Sequence, residues 1–250
     1  MNKILIIKTG HTVQPLLERS VDFEDWIIEG TGLDSGQFLV ISVFQGEQLP
    51  PLESVSGIIV TGSPEYVTDR ANWSEITGNY LKRGVEAELP ILAICYGHQL
   101  LAHCLGGQVG FHLGGREIGT VAIDLSAEGK KDTLLGQLPD AFLAQVSHQQ
   151  SVIALPADAV NLAANSFEPH HAFRIGECAW GLQFHPEFSA ETIRTYIQVR
   201  QQALEKEGIE PEQLLKQVSA TPESASVLRG FAEFVFSNIS GQQELHPEMS

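Results

Sequence analysis

Cys95 is the residue whose type and position most clearly suggest chemistry. It follows the apolar run 90–94 and precedes a helical pattern at 97–105 that begins with glycine. A strand that delivers a cysteine to a sharp turn before a helix forms a nucleophile elbow, and the positive end of that helix favours the thiolate. Taken alone, the segment is equally compatible with a buried cysteine that only fills space.

A second segment, residues 181–187, contains a histidine and a glutamate two positions apart. A cysteine nucleophile needs a base within hydrogen-bonding distance and a group that orients this base. In an extended chain, residues two apart point to the same side, so Glu187 is expected to hold His185 while the other ring nitrogen faces Cys95. By itself, the His-Pro-Glu triplet also fits a surface histidine beside a solvated glutamate.

A third segment, residues 61–64, follows the apolar run 57–60 and contains a glycine before Ser63. A glycine lets a backbone N–H approach a substrate that a side chain would block. We therefore predict an oxyanion site formed by the N–H groups of Gly62 and Tyr96. An ordinary tight turn is the alternative interpretation of this loop.

The elements that must position these residues follow an α/β pattern. Apolar runs with no polar alternation indicate strands covered on both faces, as in a parallel sheet, and ligands bind at the carboxyl ends of such strands. Downstream, short segments separated by turns predict mainly antiparallel strands, and helical patterns follow Pro186. The parallel strands are expected at 4–7, 38–44, 57–60 and 90–94, the later strands at 117–124, 142–146, 162–165, 172–175 and 178–184, and the helices at 192–206, 211–218 and 224–236.

Together, these three motifs resemble those of the class I glutamine amidotransferases, in particular the glutaminase domain of GMP synthases and its stand-alone relatives. The resemblance covers about residues 4–189 and rests on residues 61–64, 94–101 and 180–188 in the family's order. It implies a flavodoxin-like α/β fold with a mostly parallel central sheet flanked by helices and a C-terminal helical extension. We expect an amidotransferase domain at 1–190, helices packed on it at 191–240 and a flexible tail at 241–250.

The resemblance also implies a role for each matching residue. Cys95 would be the nucleophile, His185 the base and then the acid, and Glu187 the orienting group. Gln99 would contact bound glutamine, and the Ser147-His148 pair would hold its α-amino and α-carboxylate ends. Two positions depart from the family pattern, because Ala93 and Ser63 stand where the family commonly has glycine, and Ser63 changes the wall of the substrate pocket.

The reaction implied by the resemblance is release of ammonia from the side-chain amide of glutamine through a γ-glutamyl thioester, with no cofactor or metal. The chain has no Gly-rich phosphate-binding motif, and the segment after Glu187 is too short for an ATP-dependent acceptor domain. A synthetase subunit is therefore a possible acceptor of the ammonia. Alternatives are a γ-glutamyl peptide hydrolase with the same triad, a non-catalytic regulatory module, and a related thiol hydrolase or chaperone of the same broad fold.

Composition narrows the expected partners and compartment. The 250 residues carry a formal net charge of −16, which disfavours nucleic acid and anionic membrane surfaces as partners. The three cysteines lack disulfide or zinc-ligand spacing, so we expect reduced thiols. No stretch of the sequence is apolar enough for a membrane span, and we expect a cytoplasmic protein that acts on a small molecule.

Overall fold

The computed structural model describes residues 2–245, and a nine-stranded sheet is the largest element of this part of the chain. Helices cover the sheet, and a two-stranded sheet lies beside it. The strands are β1 (Lys3–Lys8), β2 (Phe38–Ser42), β3 (Val55–Val60), β4 (Ile91–Ile94), β5 (Gln108–Phe111), β6 (Glu117–Leu125), β7 (Ala141–His148), β8 (Gln150–Ala154), β9 (Ala159–Ala164), β10 (Ala172–Ile175) and β11 (Ala179–Leu182). The α-helices are α1 (Gln14–Leu17), α2 (Phe23–Thr31), α3 (Asn72–Glu86), α4 (Tyr96–Cys104), α5 (Ala190–Val199), α6 (Gln201–Lys206), α7 (Pro211–Gln217) and α8 (Pro222–Leu245).

The large sheet has the strand order β2-β1-β3-β4-β11-β10-β9-β6-β7. The first five strands are parallel to their neighbours, and the remaining pairings are antiparallel. Strands β5 and β8 form the separate antiparallel pair. The predicted α/β class is confirmed, with the parallel strands at the positions of the apolar runs.

The apolar runs of the parallel strands serve two hydrophobic cores, one on each face of the sheet. In β1, Ile4 and Ile6 belong to the core that α2 and α8 cover, whereas Leu5 and Ile7 belong to the core that α3 and α4 cover. Successive strand residues point to opposite faces, so burial of both faces requires apolar residues at consecutive positions. This explains why these strands lack polar alternation.

Three loops that carry predicted site residues lie at the same edge of the sheet. Strands β3, β4 and β11 are neighbours and run parallel, so their carboxyl ends come together. Gly62 follows β3, Cys95 follows β4 and His185 follows β11. The topology therefore brings together segments that lie far apart in the sequence.

Several predicted elements differ from those observed. The helix expected at 192–206 is divided into α5 and α6 at Arg200, and strands β5 and β8 were not predicted. Strand β11 is antiparallel to β10, as expected for this half of the chain, but parallel to β4. Helix α8 includes residues 241–245 of the segment predicted as a tail, and residues 246–250 of that tail lie outside the described residues. No helix within residues 2–245 has the length and apolar character needed to span a bilayer.

Candidate active site

Cys95 lies at a strained turn between β4 and α4. Its backbone has φ 51° and ψ −97°, a conformation with positive φ that is uncommon for a residue with a side chain. The Cys95 N–H donates to the Leu182 carbonyl at 2.7 Å, and this bond anchors the turn to β11. A Cβ on Gly97 would lie 2.8 Å from the Cβ of Val60, so only glycine lets α4 start this close to β3. The predicted elbow is thus present.

His185 and Glu187 form the buried pair that was predicted from their spacing. The distance between His185 Nδ1 and Glu187 Oε1 is 2.7 Å, and both residues are buried. Burial alone would lower the pKa of His185, but the charges of Glu187 and Cys95, with hydrogen bonds to both, raise this pKa to about 10. With a pKa of about 10, His185 is an imidazolium at neutral pH and lies beside the carboxylate of Glu187.

Two aromatic rings hold the imidazole of His185 in place. The ring of Phe188 stacks on His185 with 4.0 Å between centroids and 12° between planes, and Phe23 lies parallel to it at 6.4 Å. Phe188 is the last residue of the motif at 180–188, whereas Phe23 comes from α2. Phe23 and Phe188 also lie nearly parallel to each other at 6.1 Å, so the three rings form one cluster that restricts rotation of the imidazole.

The glycine of the loop after β3 lies against both reacting side chains. A Cβ on Gly62 would come within 2.9 Å of His185 Cε1 and 3.7 Å of the Cys95 Cβ. The Gly62 carbonyl accepts hydrogen bonds from the hydroxyls of Thr9 and Thr61, each at 2.9 Å. These bonds fix the loop, and the backbone of Gly62 lies where an oxyanion donor would be needed.

We expect Gly62→Ala to lower kcat for amide hydrolysis by about 100-fold, because the new methyl group displaces either His185 or the loop. The unfolding free energy should change little in comparison. Steady-state kinetics and urea unfolding of the purified variant measure both effects. Gly36→Ala is the matched control, since a Cβ on Gly36 meets no atom within 4 Å. Equal kinetics for the two variants would contradict the expected contact with His185.

A cavity of about 160 Å³ opens beside the sulfur of Cys95. Gln99 and Ser147 line this cavity, as expected for substrate-binding residues. Gln99 Nε2 donates to the Gln150 carbonyl at 2.7 Å and to Gln183 Oε1 at 3.0 Å, which fixes its amide. The hydroxyl oxygen of Ser147 is buried without a hydrogen-bond partner. A buried polar atom without a partner in a cavity wall indicates a group that a ligand can satisfy.

Both ring nitrogens of His148 contact other groups of the protein. Its Nδ1 lies 3.0 Å from the Gln150 carbonyl, and its Nε2 lies 3.0 Å from Glu117 Oε2. His171 Nε2 approaches the same carboxylate oxygen at 3.3 Å. Within residues 2–245, no group of three or more His, Cys, Asp or Glu side chains is arranged to hold a metal ion. Glu117 therefore orients the histidines of the cavity wall, and only the backbone of His148 is free to meet a substrate.

We expect Glu117→Gln to lower the unfolding free energy by about 2 kcal/mol at pH 7, because it removes the charge shared by His148 and His171. Burial raises the pKa of Glu117, but the hydrogen bond with His148 and the nearby ring of His171 outweigh burial and lower it. Its contribution to stability is therefore present above the pKa of an unfolded glutamate and is lost as the pH falls towards the lowered value. Urea unfolding between pH 3 and 7 should show a weaker acid dependence in the variant. The control is Asp124→Asn on the exposed side of β6, and an equal loss in both variants would contradict the assignment.

Two predicted residues remain, Tyr96, the first residue of α4, and Ser63, and both line the cavity. The hydroxyl of Ser63 is bound to the backbone. It donates to the Thr9 carbonyl at 2.8 Å and accepts from the Glu65 N–H at 3.2 Å. Sequence reasoning missed several residues of the site, among them Thr9, which holds the Gly62 loop, Phe23 beside His185, and the cavity residues Arg116 and Arg200. No local motif marks them, since each comes from a different part of the chain.

The fold agrees with the comparison against known families. The family model described as "Glutamine amidotransferase class-I" matches residues 39–201, which is more than half of the chain. The chain therefore belongs to the class I glutamine amidotransferase family, whose members among the relatives are glutamine-hydrolysing enzymes.

Individual relatives add detail. The chain is 38% identical over 151 residues to "GMP synthase [glutamine-hydrolyzing]" of Porphyromonas gingivalis, and the match covers 58% of this chain but only 28% of that relative. It is 29% identical over 147 residues to "Gamma-glutamyl peptidase 3" of Arabidopsis thaliana, covering 57% of this chain and 58% of the relative. The crystal structure of a glutamine amidotransferase from Thermotoga maritima superposes with a TM-score of 0.74 at 24% identity, covering 94% of this chain and 98% of that one, which confirms the fold.

Proposed function

We propose that the chain hydrolyses the side-chain amide of glutamine, with Cys95, His185 and Glu187 as the catalytic triad. The observation that carries this proposal is the 2.7 Å contact between His185 and Glu187, in a site where Gly62 lies against both His185 and Cys95 and where Cys95 lines a polar cavity. Membership of the class I glutamine amidotransferase family supports it. The presence of all three proposed triad residues in the chain argues against the alternative of a regulatory module that has lost its chemistry.

In the first half of the reaction, the Cys95 thiolate attacks the amide carbon and the carbonyl oxygen becomes an oxyanion. The N–H groups of Gly62 and Tyr96 stabilise the oxyanion. Tyr96 begins α4, and the first N–H groups of a helix have no intrahelical partner. The imidazolium of His185 then gives its proton to the amide nitrogen, ammonia leaves and a γ-glutamyl thioester remains. Glu187 keeps His185 oriented throughout.

In the second half, water attacks the thioester while the neutral imidazole of His185 accepts a proton from it. The tetrahedral intermediate collapses, the carbon–sulfur bond breaks, and glutamate and the Cys95 thiolate are released. His185 is an imidazolium again. The balance is one glutamine and one water converted into one glutamate and one ammonia.

The ammonia released by this reaction needs an acceptor. The chain spans 28% of the length of the Porphyromonas gingivalis GMP synthase, and its 250 residues contain no Gly-rich phosphate-binding motif. The site of an ATP-dependent acceptor reaction therefore lies outside these residues. We propose a synthetase partner that receives the ammonia.

A second candidate function is hydrolysis of a γ-glutamyl peptide bond. The similarity to Gamma-glutamyl peptidase 3 favours it, and the same triad would serve, because the bond that breaks is again an amide at the γ-carbon. The two functions differ in the leaving group, which is ammonia in one and an amino acid in the other.

The test is to measure ammonia and glutamate release from glutamine beside hydrolysis of a γ-glutamyl dipeptide by the purified chain. Faster turnover of glutamine supports the amidotransferase function, and faster turnover of the dipeptide supports the peptidase. Failure to hydrolyse either substrate would contradict the proposal that the chain is an independently active hydrolase.

A further inference from the structure

Arg200 places a positive charge in the catalytic cavity, but no step of the proposed triad mechanism requires this charge. It lies at the break between α5 and α6, and its side chain lines the same cavity as Cys95. The guanidinium lies over the ring of Tyr196, with 4.6 Å from Cζ to the ring centroid. Its Nη1 is buried and has no hydrogen-bond partner.

The second arginine of the cavity, Arg116, is different because its charge is compensated. Its guanidinium makes a two-pronged contact with Glu207, at 3.0 and 3.1 Å. Gln149 also donates to this carboxylate, at 3.3 Å. The carboxylate of Glu207 therefore compensates the charge of Arg116 and not that of Arg200.

No comparable partner compensates Arg200. In the part of the chain that the structure describes, none of the salt bridges involves Arg200. Burial and the charge of Arg116 lower the pKa of Arg200, which opposes the favourable effects of Tyr196 and Cys95. A half-buried guanidinium with an N–H group that makes no hydrogen bond lowers the stability of the folded protein unless an anion binds to it. Glu65, which also lines the cavity, is exposed to solvent and does not supply that anion.

We propose that Arg200 binds a carboxylate of the substrate while Cys95 attacks the γ-carbonyl. The inference rests on the proposed function and adds a specificity-determining residue to it. A planar guanidinium with a free N–H matches a carboxylate in geometry and charge. Two sources of this carboxylate exist: the α-carboxylate of the γ-glutamyl group, and the carboxylate of an amino acid that leaves from a γ-glutamyl peptide.

Alkylation of Cys95 tests the anion site without any need for hydrolysis. The thiolate displaces iodide from iodoacetate or from iodoacetamide, forming one carbon–sulfur bond and breaking one carbon–iodine bond. The two reagents are nearly isosteric, but only iodoacetate carries a carboxylate. Burial raises the pKa of Cys104 to about 12 and that of Cys178 to about 11, so these thiols react slowly. A Cys95→Ser background gives their contribution.

The informative quantity is the ratio of the iodoacetate rate to the iodoacetamide rate, because any effect of Arg200 on the thiolate itself cancels in this ratio. We expect Arg200→Met to lower the ratio about tenfold and Arg200→Lys, which keeps the charge, to lower it less. Arg83→Met, an exposed arginine at the end of α3, is the control and should leave the ratio unchanged. An unchanged ratio in Arg200→Met would overturn the proposal, and circular dichroism of both Arg200 variants checks that they fold.

Substrate kinetics then identify the source of the carboxylate. Glutamine, γ-glutamylglycine and γ-glutamyl methylamide share the α-carboxylate, but only the second has a carboxylate on its leaving group. A KM raised about tenfold in Arg200→Met for all three assigns the α-carboxylate, and a rise for γ-glutamylglycine alone assigns the leaving group. If no substrate is hydrolysed but the alkylation ratio depends on Arg200, the anion site stands and the proposed hydrolysis fails.

Discussion

Cys95→Ala is expected to lower kcat/KM for glutamine or a γ-glutamyl dipeptide by at least about 10⁴-fold. The sulfur forms the covalent bond on which both halves of the proposed reaction depend, and alanine offers no atom that can replace it. The oxyanion donors and the cavity remain, so substrate binding should be retained. Kinetics on the purified variant measure the loss, and a thermal melt measures its fold.

The matched control is Cys104→Ala at the other end of α4. The thiol of Cys104 donates to the Leu101 carbonyl at 3.3 Å inside its own helix and does not line the cavity. Its removal should change kcat/KM less than twofold. If Cys95→Ala kept more than a hundredth of the wild-type activity, the reaction would proceed without a thioester, and the assigned nucleophile would be wrong.

The second large effect is expected at His185, where alanine should reduce kcat by about 10³-fold. His185 donates the proton that lets ammonia leave and later accepts one from water, and no neighbouring side chain can take over both roles. Iodoacetamide should also alkylate Cys95 more slowly at neutral pH, because the sulfur loses its positive neighbour.

A pH profile separates the role of Glu187 from that of His185. The pKa of His185 is raised to about 10, so the imidazolium persists through pH 9 and activity should fall only above that range. In Glu187→Gln, the carboxylate that raises this pKa is absent, and the alkaline limb of kcat/KM should move to lower pH by at least about one unit.

The raised pKa of His185 also affects the stability of the folded protein. A raised folded-state pKa stabilises the protein fully below the unfolded histidine value near 6.5, and this stabilisation is lost as the pH rises through about 10. Glu191→Gln, an exposed carboxylate at the start of α5, is the control for both measurements. An identical alkaline limb in wild type and Glu187→Gln would show that Glu187 does not act on His185.

Local chemistry made the triad predictable, whereas the rest of the site depends on distant contacts. Cys95 and the His185–Glu187 pair each lie in a short segment whose spacing has a physical meaning. Arg116 and Arg200 are single residues at the start of β6 and at a helix break, and only the folded chain brings them to one cavity. Arg116 pairs with Glu207, whereas Arg200 Nη1 has no hydrogen-bond partner, and no sequence pattern encodes this difference.

The fold was predictable where burial is complete. The parallel strands are buried on both faces, and their apolar runs show this directly. Strand β5 is short and partly exposed, so it leaves no apolar run to detect. The break at Arg200 interrupts a continuous helical pattern without a glycine or proline, so no residue type in the sequence marks it.

The position of β11 and α8 bears on how the chain folds as it emerges from a ribosome. Strand β4 pairs on one side with β11, which is synthesised more than eighty residues later. Helix α8 comes later still, and Val235 packs so closely over Gly57 that a Cβ there would lie 2.9 Å from its methyl carbon. Until both have been made, a nascent sheet has an open edge and a bare apolar face, which are the surfaces that promote aggregation. Translation speed and chaperone supply are therefore expected to affect the yield of folded protein.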